Sequence, residues 1–269
     1  MGIKSKIKSM FTHKEYIPIT HPISIGKEFE NKVALISGGS GGIGLAIATS
    51  LQEAGCKVII AGTNSEKLEY LKKKNNLDTV IMNYLKPETL EGIVNEIITK
   101  YGKLDIFINS AGVHTENVDF WTIDSNEFDR IVSINLKGVF FACRTIGEYM
   151  KKWNIRGSIL IISSSRGSEP AWSPYGISKW GLKGLTKGLA KIFVPFGINV
   201  NSIAPGSTAT ELIGIKTGEN IFSEENGMNR LIMPDEIATL AKLLVSDAGK
   251  MINGEIIHIA AGRGSFDIR

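Results

Sequence analysis

Tyr175 and Lys179 stand one helical turn apart, directly after Ser173 and Pro174, a pair suited to opening a helix. Both side chains therefore share a face. An ammonium at that distance favours the phenolate, so the expectation is a tyrosine whose pKa is lowered enough to give and take a proton near neutrality. The second chemical signal is SGGSGGIG at 37–44, directly after the apolar run VALI. Glycine this dense costs backbone entropy, which implies a tight turn or a main chain that a ligand must touch. The helical stretch IGLAIATSLQEAG follows at once, and a turn between strand and helix aims backbone N–H groups and a helix N-terminus at a pyrophosphate. The spacing of Gly38, Gly42 and Gly44 is GxxxGxG rather than GxGxxG.

The elements that must hold these residues alternate regularly. VALIS, KVIIAG, TVIMN, LDIFIN, SILIIS, INVNSI and EIIHIA read as strands, while 43–54, 65–74, 87–101, roughly 125–153, 174–193 and 234–246 read as helices. Strands that are apolar throughout suit a parallel sheet covered on both faces. The expectation is an α/β, Rossmann-type, doubly wound parallel sheet of about seven strands in a three-layer arrangement. It occupies 31–269 as one dinucleotide-binding and catalytic domain, preceded by a basic arm and extended linker at 1–30 that carries Pro18 and Pro22.

Composition narrows the function classes. The 269 residues are 43% hydrophobic and 22% charged, ordinary for a globular protein. The net charge of +4 comes entirely from Lys4, Lys6, Lys8 and Lys14, and the rest of the chain balances. That leaves the main domain without the basic footprint of a nucleic-acid binder. Ile3, Ile7, Met10 and Phe11 would share one helical face among those lysines, so the arm reads either as a membrane-surface or partner-docking element or as a solvated tail. No stretch reaches the roughly 18 apolar residues of a membrane span, and the start lacks a secretory signal, so the expected address is cytoplasmic. Cys56 and Cys143 lie far apart without metal-type spacing; both read as small core residues, and no metal is expected.

Four motifs in order make the chain similar to the short-chain dehydrogenase/reductase family over roughly Asn31 to Gly262. They are SGGSGGIG, NSAG at 109–112, a serine run followed by Tyr175 and Lys179, and INVNSIAPG. The resemblance implies a hydride transfer between a nicotinamide and a carbonyl or alcohol carbon. It makes Tyr175 the acid/base, Ser164 the hydrogen-bonding serine, Lys179 the ribose-binding partner of the tyrosine, and Asn135 the anchor of a relay water. It also implies cofactor contacts from Ser37, Gly38, Ser40, Gly42, Ile43 and Gly44 in the turn, from Asn83, and from Asn109, Ala111 and Gly112. Pro205, Gly206, Thr208 and Thr210 complete them beside the nicotinamide. Residues 207–233 read as a substrate lid, and His114, Arg166, Glu169 and Trp172 as candidate walls of the substrate pocket. Ile232 and Ala260 depart from the family's patterns at positions away from the tetrad.

The substrate expected is a small molecule with a polar hydroxyl or ketone, sugar-derived or 3-oxoacyl. A cofactor-binding sensor without turnover is the alternative, but it has no use for the phenol. After KVIIAG an NAD enzyme of this fold places an acid on the adenine ribose. Here Gly62, Thr63 and Asn64 follow, with Lys67 nearby, so NADP(H) is the expected cofactor and NAD(H) the secondary one. Gly181, Gly184 and Gly188 in one helix suggest close packing by another helix, and the resemblance implies a homo-oligomer, a tetramer, paired through that face. Trp153 and Trp180 read as core or interface residues of those helices, and His258 as a structural strand residue.

Overall fold

The computed structural model describes residues 28–115, 118–215 and 219–265. The N-terminal arm with its four lysines lies outside the described residues, as do positions 216–218 of the expected lid. Seven strands form one sheet: β1 (Val33–Ser37), β2 (Lys57–Gly62), β3 (Asp78–Ile81), β4 (Ile106–Asn109), β5 (Ser158–Ile162), β6 (Asn199–Pro205) and β7 (Ile256–Ile259). Their order is β3-β2-β1-β4-β5-β6-β7, and every pairing is parallel. The order reverses between β1 and β4, so the carboxyl ends of those two strands open a crevice.

Alternate residues of each apolar run serve opposite faces. In β1, Val33 and Leu35 pack with α3 (Leu90–Tyr101), α5 (Val139–Lys152) and α6 (Pro174–Phe193), whereas Ala34 and Ile36 pack with α1 (Gly42–Glu53), α2 (Ser65–Asn75) and α7 (Pro234–Val245). Cys143 belongs to the first layer and Cys56 to the second, both as buried free thiols. Burial pushes each thiol's pKa up to about 12. Phe29, read from the sequence as linker, is 1% exposed in the second layer, and its N–H donates to the Ala54 carbonyl.

The helix expected over 125–153 is three pieces. A regular α4 (Ser125–Val132) runs into a π-helical segment, Ser133–Gly138, and then into α5. The wider segment falls where Gly138 admits Tyr84: a Cβ there would lie 2.6 Å from the Tyr84 ring. α6 begins where the sequence places it, with Pro174 in its first turn and Ser173 Oγ accepting from Gly176 N at 3.1 Å. Among the described residues, no helix is long and apolar enough to cross a membrane.

Candidate functional site

The turn after β1 is shaped by what it cannot contain. Gly38 has φ +66°, and a Cβ on it would lie 2.6 Å from Ala111 N, in the loop after β4. A Cβ on Gly42 would lie 2.6 Å from Thr210 Cγ2 in the expected lid. Gly41 precedes α1 at its N-cap and offers no side-chain cap, which leaves the first-turn N–H groups for a ligand. These features border a cavity of about 370 Å³ that runs from Gly62, Thr63 and Asn64 to Tyr175 and Lys179. Its reach from the end of β2 to the catalytic helix, its uncapped helix end and its glycine-rich turn fit a dinucleotide.

Beneath the turn, a buried ring of polar groups ties β1 to β4. Tyr84 Oη lies 2.6 Å from Asn109 Oδ1 and 2.7 Å from Ser37 Oγ, which itself donates to Asn109 Oδ1 at 3.0 Å. Tyr84 was not singled out from the sequence. Its position just past β3, at the carboxyl edge of the sheet, was the available signal. Asn135, in the π segment, fixes the next loop: its Nδ2 donates to Val113 O at 2.9 Å and its Oδ1 accepts from Val113 N at 2.8 Å. Each side-chain atom thus spends one of its two hydrogen-bonding positions on Val113, and the main chain stands beside them as an anchor for the relay water expected from the sequence.

The chemical groups meet at the end of β5. Ser164 opens the short turn Ser165–Ser168, and its Oγ accepts from Arg166 N at 3.2 Å and faces the Tyr175 hydroxyl closely enough to favour its ionised form. Lys179 is 5% exposed; its Nζ donates to Ile162 O at 3.3 Å and lies 5.4 Å from the centre of the Tyr175 ring. The lowering of the tyrosine's pKa expected from this ammonium does not occur. Burial raises the phenol above its ordinary value, opposed by the Ser164 hydrogen bond and by the charge of Arg166. Desolvation wins because Lys179 faces the ring rather than the hydroxyl, and the same burial lowers the ammonium's own pKa to about 8.

Tyr175 also walls a second cavity of about 350 Å³, shared with Ser164, His114, Arg166, Trp172 and Arg263. His114 stacks on the Tyr175 ring, centroids 4.0 Å apart and planes inclined at 20°. Of the four wall candidates, Glu169 alone is not on the wall; its carboxylate instead holds Arg166 at 3.0 Å and Arg263 at 2.9 Å. Arg263 was missed in the sequence because nothing local marks it beyond its place just after β7.

The remaining expected cofactor contacts divide between the two cavities. Ser37, Gly38, Ser40, Gly42, Ile43, Gly44, Thr63, Asn64, Asn83, Ala111, Gly112 and Thr210 border the first; Pro205, Gly206 and Thr208 border only the second. Asn109 lies below the wall. Asn64 spends its side-chain oxygen on capping α2, and Asn83 spends its own on Leu85 N. Lys67, expected to assist a phosphate, pairs with Glu211 at 2.9 Å. Trp153 and Trp180 are exposed, so the core reading fails for both. His258 on β7 is structural, with Nε2 2.8 Å from Ser168 Oγ.

The chain resembles known proteins over nearly all of the described residues. A family profile described as Enoyl-(Acyl carrier protein) reductase matches residues 38–263. A 3-oxoacyl-[acyl-carrier-protein] reductase of Rickettsia conorii is 36% identical over 244 residues, covering 87% of this chain and 98% of the relative. A 3beta-hydroxysteroid dehydrogenase 2 of Eggerthella lenta is 29% identical over 248 residues, covering 87% and 95%. A crystal structure of a 3-ketoacyl-(acyl-carrier-protein) reductase from Brucella melitensis complexed with NADH superposes with a TM-score of 0.80 at 28% identity, covering 87% and 99%.

The buried Lys179 has a measurable consequence. Its folded pKa of about 8 lies below the ordinary 10.5, so between those values the unfolded chain holds a proton that the folded chain has released. Stability should therefore rise with pH across that window, by about 3 kcal/mol from this residue. Denaturant titrations of wild type and Lys179→Met from pH 8 to 10.5 check it: the wild type should gain on the variant, and parallel profiles would contradict the assignment.

Proposed function

The chain belongs to the short-chain dehydrogenase/reductase family and is an NAD(P)-dependent oxidoreductase, and from that premise we propose that it interconverts a polar ketone and its secondary alcohol with NADP(H) preferred. The observation that carries this is the position of Tyr175, which borders both cavities and shares the wall of the second with Ser164. When bound, the dinucleotide supplies or accepts the hydride. In the reducing direction Tyr175 Oη gives its proton to the substrate oxygen while Ser164 Oγ hydrogen-bonds that oxygen and orients the carbonyl. A phenol kept protonated by burial is suited to that donation. Lys179 holds the nicotinamide ribose, and the main chain at Asn135 anchors a water for the returning proton. The stretches 207–215 and 219–233 cover the substrate, and the domain starts no later than Phe29, which already belongs to its core. A 3-oxoacyl compound is the first substrate class to try, because the Rickettsia relative bears that name; a sugar-derived ketone is the second.

The cofactor preference rests on the cavity's far end, where Gly62, Thr63 and Asn64 present no carboxylate to repel a 2′-phosphate. The α2 N-terminus favours an anion there, although Glu211 competes for Lys67. For quaternary structure, a homotetramer paired through α5 and α6 is the reading. Phe140, Trp153, Trp180 and Ile192 are exposed, and a Cβ on Gly184 or Gly188 would meet nothing, while Gly181 already packs against Leu136 within the chain.

Three outcomes are expected. Tyr175→Phe should lower kcat by ~10²–10⁴ while the dissociation constant for NADPH stays within a few-fold, because only the proton donor is lost; near-normal turnover in this variant would remove the assignment. Steady-state kinetics should give NADPH a kcat/KM roughly tenfold above that of NADH, the scale of one charge-assisted hydrogen bond, and a higher value with NADH would reverse the preference. Light scattering at micromolar concentration should return four times the chain mass, against which a monomer would count decisively.

A further inference from the structure

The substrate-side cavity has two arginines on its wall and, among the described residues, no carboxylate. Arg166 comes from the turn after β5 and Arg263 from the chain beyond β7, yet one carboxylate grips both. Glu169 Oε2 takes Arg166 Nη1 at 3.0 Å, and its Oε1 takes Arg263 Nε at 2.9 Å. Arg263 Nη1 also reaches Ser207 Oγ at 3.2 Å and Glu225. These bonds fix where the guanidinium planes stand without using them up. Among the described residues, nothing takes Nε or Nη2 of Arg166 or Nη2 of Arg263.

Two forks held side by side, in a cavity that also contains the reacting phenol, suit an anionic oxygen group, which accepts from several donors at once, better than a neutral ketone whose carbonyl oxygen is already committed to Ser164 and Tyr175. Arg263 is only 14% exposed, so water has little room to serve it once a substrate is seated. Arg166 is near enough to the phenol for its charge to act on the Tyr175 proton. We infer that the substrate carries an anionic oxygen group, a carboxylate or a phosphate, that binds the remaining donors of Arg166 and Arg263 while its carbonyl lies at Ser164 and Tyr175. This rests on the oxidoreductase reading and narrows its substrate class. Glu169 is the positioning residue for both arginines.

Matched pairs separate charge from shape: acetoacetate against ethyl acetoacetate, and dihydroxyacetone phosphate against dihydroxyacetone, each with NADPH. In at least one pair the anion should be favoured in kcat/KM by roughly 10–100-fold, and which pair responds identifies carboxylate or phosphate. Arg166→Gln and Arg263→Gln should each bring that ratio towards one, with NADPH titration reporting that the fold is kept. Arg166 is exposed enough for its variant to fold if the other does not. Neutral members turned over as well as the anions overturn the inference and leave the oxidoreductase reading standing. If nothing is turned over, calorimetry on the NADPH complex decides. Tighter binding of the anion, lost in Arg166→Gln, supports the inference; equal binding overturns it.

Discussion

Two main chains meet at the carboxyl edge of β1 and β4 with no side chain between them, and the rest of the site hangs on that approach. Gly38 must turn with a positive φ because Ala111 N occupies the space of a Cβ. The loop it presses against is held in turn, since Asn135 pairs with both main-chain atoms of Val113. From the same place a Cβ on Gly112 would be 3.5 Å from Lys179 Nζ, so the cofactor turn, the loop after β4 and the base of the catalytic helix form one contact chain. The polar ring of Ser37, Tyr84 and Asn109 pins the two strands beneath it. A substitution that pushed the loop outward would move groups on three elements at once.

Burial sets the protonation states of the site before any ligand arrives. The same desolvation that raises the Tyr175 phenol lowers the Lys179 ammonium, so both groups are driven towards neutrality. Ser164 and Arg166 pull the phenol back, and both lie on the side where a substrate oxygen would arrive. The tyrosine is thus a held acid on the substrate side, with the lysine behind its ring rather than at its hydroxyl.

What could be read in advance was whatever sequence neighbours decide. The seven strand segments, the start of α6 at Ser173 and Pro174, and the glycine turn all follow from short-range patterns, and each is where it was expected. The misses are long-range. Arg263 reaches Glu169 across 94 positions, and Tyr84 reaches Ser37 across 47, with no local signature for either pairing. Trp153 and Trp180 show a second limit: an apolar ring on an amphipathic helix looks the same in sequence whether it is covered by its own core or left on the surface of the chain. The direction of the tyrosine's shift shows a third. Spacing places an ammonium within a turn, but whether it faces the hydroxyl or the ring is settled by packing.

The two thiols lend themselves to a use unrelated to chemistry at the site. Cys143 lies in the layer under α3, α5 and α6, and Cys56 in the layer under α1, α2 and α7. Burial and pKa values raised to about 12 disfavour the thiolate, the reactive form, so both should resist alkylating reagents in the closed protein. Each modification event then requires its own layer to open. The chain thus contains one natural probe on either side of its sheet, and the relative rates at which the two are labelled report whether the halves of the core breathe together or apart.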